Sequence, residues 1–211
     1  MLAVTDLRAR RGDNDVLRGV SLQVSRGERV AVHGPSGCGK TTLLLAIAGL
    51  VPVTSGRVTL DGIDVTGMPT HRRGVGMVFQ DDQLFPHFNV AENVGYSLRV
   101  AGIPKNERKQ RVEGWLHRVG LIGFGTRSVD GLSGGEAKRV ALARTLAASP
   151  SVVLLDEPLT GLDDVLRDRL LNDLRALFDE LQTTVVMVTH DRAEAAALSH
   201  RAVEFDRLMR D

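Results

Sequence analysis

Gly34-Pro35-Ser36-Gly37-Cys38-Gly39-Lys40-Thr41 follows the apolar run Val30-Ala31-Val32 and precedes Thr42-Leu43-Leu44-Leu45-Ala46-Ile47-Ala48. This order reads as a buried strand, a glycine loop and a helix. The loop matches the spacing G-x-x-x-x-G-K-[ST], and physics accounts for each residue type in it. Glycines let the backbone wrap so that successive N–H groups face inward, and the positive end of the next helix adds to their field, which together suit a phosphate group. Lys40 supplies a compact cation for the β- and γ-phosphates, and the Thr41 hydroxyl a hard oxygen for Mg²⁺. Lysine is scarce here, four against twenty-three arginines, so composition alone rarely produces the pattern.

At 211 residues, 43% hydrophobic and 25% charged, the chain can bury a sizeable core. A net charge of +1, with no run of like charges beyond Arg8, Arg10 and Arg11, argues against a polyanion-coating protein, and no nucleic-acid partner is expected. Met1 to Asp6 lacks a long apolar segment, and the longest apolar stretch, Leu43 to Val53, is too short to span a bilayer. One cysteine excludes an internal disulfide and fits a reducing compartment. The expectation is a soluble cytoplasmic chain, so that any membrane role needs another subunit.

Upstream of the loop, Leu2-Ala3-Val4 and Val20-Ser21-Leu22-Gln23-Val24 alternate with turn residues at Gly12-Asp13-Asn14 and Arg26-Gly27-Glu28, as half-exposed antiparallel strands do. Downstream, the first helix ends at Gly49. Ser55 to Leu60 and Ile63-Asp64-Val65 extend the antiparallel layer, and Gly76-Met77-Val78-Phe79-Gln80 is a short strand ending in an amide. Leu84-Phe85-Pro86-His87-Phe88 reads as a loop with two exposed aromatics. Residues 89 to 127 read as helical, punctuated by glycines at 102, 120, 123 and 125, with Trp115 assigned to the core. His33 is read as a hydrogen-bonded histidine at a strand end and Cys38 as a small space-filling residue.

Leu132-Ser133-Gly134-Gly135-Glu136 precedes a helix-forming run. Ser133 is a good N-cap and Glu136, three residues on, completes a capping box. The two adjacent glycines exceed what capping needs, and a helix start with bare N–H groups is a second phosphate site. Val152-Val153-Leu154-Leu155 then reads as a buried strand finishing in Asp156-Glu157, where two carboxylates need a cation or a proton to accept. Asp156 faces the Mg²⁺ of Thr41, and Glu157 deprotonates an attacking water. A long helix, Val165 to Leu181, leads to Val185-Val186-Met187-Val188 and to Thr189-His190-Asp191, which sets an imidazole on the same sheet edge.

In order and spacing these motifs resemble the ATP-binding cassette family, specifically the nucleotide-binding subunit of a bacterial importer of small solutes. The resemblance implies an α/β fold: a P-loop NTPase core with a mainly parallel sheet, an antiparallel β layer and an inserted helical subdomain. It implies one domain over 1–211, with 1–82 and 151–211 forming the nucleotide-binding core and 83–150 the helical subdomain that carries the signature. ATP then lies on Gly34, Pro35, Ser36, Gly37, Cys38, Gly39, Lys40, Thr41 and Thr42, with Mg²⁺ on Thr41, Gln80 and Asp156. Glu157 is the general base, His190 contacts the γ-phosphate, and Gln80 links the metal to the helical subdomain. Two copies, or this chain and a homologous cassette, pack head to tail, so that Ser133, Gly134, Gly135 and Glu136 of one meet the nucleotide of the other; Asp163 belongs to the D-loop. Implied partners are membrane permease subunits, whose cytoplasmic helix meets the Leu84–Phe88 loop, and a solute-binding protein. The implied location is cytoplasmic, peripheral on the inner face of the cell membrane.

This chain departs from the family at four points. Arg10-Arg11-Gly12 stands where an aromatic usually stacks on adenine, and Arg11 is expected to stack its guanidinium plane there instead. Glu136 replaces a commoner glutamine and Gly161 a usual alanine. The sequence ends about twenty residues after His190, so no carboxyl-terminal regulatory domain is expected. The motif set also admits a soluble cassette ATPase acting on ribosomes or DNA ends, although such relatives carry two cassettes or coiled-coil arms, and a closing module that does not turn over, against which Glu157 and His190 argue. The cargo is not written in these residues.

Overall fold

A computed structural model describes residues 1–12 and 14–209; Asp13, read above as part of a turn, lies outside them. Two compact units emerge. The first comprises Met1–Met77, Ser151–Glu157 and the chain from Leu181 onward; the second comprises Val78–Pro150 and Pro158–Glu180. The second unit takes in the long helix after residue 157 as well as the expected 83–150 span.

In the first unit, β1 (Leu2–Arg11), β2 (Asn14–Val24), β4 (Val53–Leu60) and β5 (Ile63–Asp64) form an antiparallel sheet in the order β2-β1-β4-β5. The first strand is longer than Leu2-Ala3-Val4 because pairing with β2 and β4 carries the charged residues after Leu7 into the ladder, an override of local propensity by neighbours. The second sheet has the order β6-β7-β8-β3-β9, built from β3 (Arg29–His33), β6 (Val75–Val78), β7 (Val152–Asp156), β8 (Val185–Thr189) and β9 (Arg201–Glu204). The pairs β3/β8, β3/β9 and β7/β8 are parallel. All five residues of β7 and of β8 are buried, as expected of strands covered on both faces.

Helix α1 (Lys40–Ala48) packs against β7 and β8 and also against β1 and β2. A helix touching both sheets has little surface left for solvent, and seven of its nine residues are buried, all apolar beyond the first turn. Leu43, Leu44 and Ile47 are fully inaccessible there, in one core with Leu2, Leu7, Leu154 and Val186. That core fixes where the glycine loop begins and ends.

The second unit is helical. The 89–127 stretch contains three helices, α2 (Val90–Val94), α3 (Tyr96–Val100) and α4 (Lys105–Arg118). Gly95 separates the first two, and a Cβ there would stand 3.1 Å from Val112, so the break lets α4 approach. Trp115 is half-buried, not core, with the Arg118 guanidinium 5.2 Å over its ring. Helix α5 (Gly134–Ala147) packs on α2, α3 and α4, and α6 (Asp164–Leu181) buries Leu170, Leu174, Leu177 and Phe178 at helical spacing. The chain then returns to the first unit through β8 and α7 (Arg192–Leu198). Among the described residues, no helix is long and apolar enough to cross a membrane.

Candidate functional site

The buried strand β3 delivers the glycine loop to the carboxyl edge of the parallel sheet. Gly39 caps α1 at φ 114°, a left-handed value that favours glycine, and no side chain caps the helix, so the first-turn amides are not claimed by a side-chain cap. The loop is buttressed from behind. A Cβ on Gly39 would stand 3.0 Å from Val16 and 3.1 Å from Phe205, and one on Gly34 would stand 3.3 Å from both Phe205 and the Cys38 sulfur. Phe205 is completely buried. Neither Val16 nor Phe205 was picked out from sequence, since each reaches the loop from a distant strand end.

Lys40 is buried, and its ammonium donates to the Gly34 and Pro35 carbonyls at 2.7 Å each, so the loop encircles a cation. Thr41 Oγ1 donates to Asp156 Oδ1 at 2.9 Å. Thr42 is buried. Pro35, Ser36 and Gly37 are exposed and Cys38 is half-buried. Burial pushes the Asp156 carboxyl up from its ordinary value, and the adjacent Glu157 adds to this against the opposing Thr41 bond and Lys40 charge. A divalent cation bound here would favour the carboxylate. A hydroxyl and a desolvated carboxylate side by side are hard oxygen donors of the kind Mg²⁺ takes when phosphates supply other ligands, and among the described residues no cluster of three metal-binding side chains competes with them.

Glu157 adopts φ 45°, rare for a residue with a Cβ, while its N–H donates to Val188 O at 3.0 Å. Its Oε2 stands 3.3 Å from His190 Nδ1, with the histidine exposed and the carboxylate largely covered. Arg11, at the end of β1, is exposed. The first unit therefore assembles Lys40, Thr41, Asp156, Glu157 and His190 at the carboxyl ends of three neighbouring strands, β7, β8 and β3, where open α/β sheets bind ligands.

The second unit holds the remaining candidates. Ser133 caps α5: its Oγ accepts from Glu136 N at 3.4 Å, and Glu136 Oε2 accepts from Ser133 N at 2.7 Å. Gly135 has a packing reason that the sequence did not show, because a Cβ there would stand 3.0 Å from two carbons of Leu166 on α6. Asp163 Oδ1 accepts from Leu166 N at 2.9 Å and so begins that same helix. Gln80 is exposed, and its carbonyl accepts from Lys138 of α5 at 3.2 Å; Arg144, two turns on, donates to Asp82 O and Gln83 O at 2.9 and 2.8 Å. Wholly buried Asn93 accepts from Phe85 N and donates to the Phe85 and Phe88 carbonyls. Phe85, Phe88 and Tyr96 thus cluster, with ring centroids 4.7 to 6.2 Å apart. Lys138, Arg144 and Asn93 were not identified from sequence.

The family model described as ABC transporter matches residues 17–160. The chain is 51% identical over its full length to an Fe(3+) ions import ATP-binding protein of Streptomyces coelicolor, covering 60% of that relative. It is 44% identical over 200 residues to an sn-glycerol-3-phosphate import ATP-binding protein of Agrobacterium fabrum, covering 95% of this chain and 54% of that one. The chain thus spans a little over half the length of these curated relatives. Among solved structures, the cassette MJ0796, a dimer in a post-hydrolysis state bound to ADP and Pi, superposes with a TM-score of 0.85 at 32% identity, over 97% of this chain and 94% of that one.

Proposed function

The chain belongs to the ABC transporter family, and from that premise we propose that it binds and hydrolyses ATP to drive solute import through separate membrane subunits. The observation that carries this is the Thr41–Asp156 bond beside the Glu157–His190 pair, next to a lysine already held inside a glycine loop. In this reading the first unit is the nucleotide-binding core and the second the helical subdomain.

The loop amides and α1 take the phosphates, and Lys40 exchanges its two carbonyl partners for β- and γ-oxygens. Thr41 and Asp156 would hold Mg²⁺, which would neutralise charge on the transferring group. Glu157 accepts the proton of the attacking water, and His190 sits where the γ-phosphate arrives. Ser133, Gly134 and Gly135 complete the site of a second copy, with Glu136 holding the cap and Asp163 the start of the next helix. The dimeric state in which MJ0796 was solved supports this pairing. The aromatic loop 84–88, fastened by Asn93 and Arg144, is the surface for a cytoplasmic helix of the permease, and the chain works from the inner face of the membrane. The relatives' cargoes, Fe(3+) and sn-glycerol-3-phosphate, differ while the cassettes remain similar, which supports import and assigns cargo choice to the membrane subunits and a solute-binding protein.

Affinity capture of the chain from gently solubilised native membranes tests the reading. A polytopic membrane protein recovered with it supports import. Recovery with ribosomes or nucleic acid from the soluble fraction overturns the transport role while leaving the ATPase chemistry in place.

A further inference from the structure

Behind His190 runs a buried polar chain that the reaction above does not use. Thr189, fully inaccessible at the end of β8, donates its hydroxyl to Glu194 Oε2 at 2.6 Å, and Thr189 Oγ1 itself accepts from Asp191 N at 3.0 Å. Asp191 Oδ1 in turn accepts from Ala193 N and Glu194 N at 2.7 and 3.2 Å, starting α7. His190 is therefore a single residue slung between two tethered neighbours: Thr189 is held by the Glu194 side chain, and Asp191 by the Thr189 hydroxyl and the Ala193 and Glu194 amides.

Glu194 is only 5% exposed, and its Oε1 has no hydrogen-bond partner among the described residues. Its helix neighbours Ala195 and Leu198 are buried and apolar. A leucine at this position would avoid the desolvation that the carboxyl suffers. From the geometry we propose that Glu194 is a positioning residue that fixes the imidazole of His190 through Thr189. The inference rests on the hydrolysis reading above. Burial raises the Glu194 carboxyl from its ordinary value, so a neutral group that still accepts from Thr189 can replace it.

The test uses the full chain with Glu194→Leu, Glu194→Gln and Thr189→Val. Two quantities are read: phosphate release over a range of MgATP, and hydrogen exchange at the Asp191 amide without nucleotide. Glu194→Leu and Thr189→Val each lower kcat about tenfold while KM stays within about twofold, because sub-ångström misplacement of a reacting group acts on the chemical step. Both speed Asp191 exchange by about tenfold, whereas Glu194→Gln keeps kcat and exchange within about twofold of wild type. Thr189→Val decides the matter if the leucine variant does not fold. Unchanged kcat and exchange in the valine variant, or a glutamine variant as impaired as the leucine one, overturns the proposal. A wild-type chain that releases no phosphate refutes the hydrolysis reading instead, and the exchange rates then decide the tether alone.

Discussion

Glu157 Oε2 and His190 Nδ1 stand 3.3 Å apart, yet the two residues are held by different means. The carboxylate is aimed by its own backbone, which leaves β7 in a left-handed conformation and ties its N–H to Val188. The histidine extends from the end of β8 into solvent. This division fits the proposed roles, since a base needs a fixed direction toward water and a group that meets the γ-phosphate needs access to it.

If Glu157 is the base proposed above, replacing it by its amide removes proton acceptance with little change of shape. Glu157→Gln is expected to lower steady phosphate release by about 10²–10⁴-fold while ATP affinity stays within a few-fold. Nucleotide titration and a phosphate assay on one preparation check both halves.

Asp156 contributes a linked pH effect. Its carboxyl is raised by burial, so between the ordinary carboxylate pKa of about 3.9 and the raised folded value the native chain binds more protons than the unfolded one. Stability from this group accordingly falls as pH climbs through that window. Without Mg²⁺ and nucleotide, Asp156→Asn is expected to raise Tm at pH 7, with the difference shrinking toward about pH 4. The same variant loses the Mg²⁺-dependent part of ATP binding. Thermal melts across pH, with and without MgATP, read both.

Legibility from sequence followed the distance over which each determinant acts. The glycine loop, the capping box at Ser133 and Glu136, and the buried runs of β7 and β8 are local chemistry, and each stands within a residue or two of its expected place. Lys138 and Gln80 lie 58 residues apart and Arg144 and Asp82 62 apart, so no local pattern announces either contact. Phe205 reads as an ordinary apolar residue until β9 brings it beneath Gly34 and Gly39. Trp115 kept its helical spacing but not its burial, because α4 is a largely charged surface helix on which Arg118 covers the ring.

The contact of Gly135 with Leu166 yields a paired test. A Cβ at 135 forces the leucine to give by a few tenths of an ångström, and a branched side chain asks more. Gly135→Val is expected to destabilise the chain by about 1–3 kcal/mol through overpacking. Shortening the neighbour relieves the clash, so Gly135→Val with Leu166→Ala should be less destabilised than the two single changes added together. Denaturant titration of the four proteins in the cycle measures the coupling.

Arg11 is exposed at the end of β1, where its planar guanidinium is free of burial cost and able to lie against a flat base. If it carries the adenine, Arg11→Ala weakens ATP binding by about 1 kcal/mol, or roughly fivefold, and leaves the affinity for inorganic triphosphate unchanged, because the loop amides and Lys40 hold the phosphates by themselves. Equal losses for both ligands would identify a general electrostatic effect, and no loss for either would remove Arg11 from the site.

Cys38 is the chain's one cysteine, half-buried in the loop with its sulfur 4.0 Å from Lys40 Nζ. An alkyl group on that sulfur crowds the Lys40 ammonium and Gly34, both of which it already adjoins. Thiol alkylation is therefore expected to abolish phosphate release, saturating ATP to slow the inactivation by about tenfold or more through occlusion of the site, and Cys38→Ala to hydrolyse ATP and resist the reagent. Inactivation at the same rate with and without ATP would place the sulfur outside the nucleotide's footprint, and inactivation of Cys38→Ala would exclude it as the target.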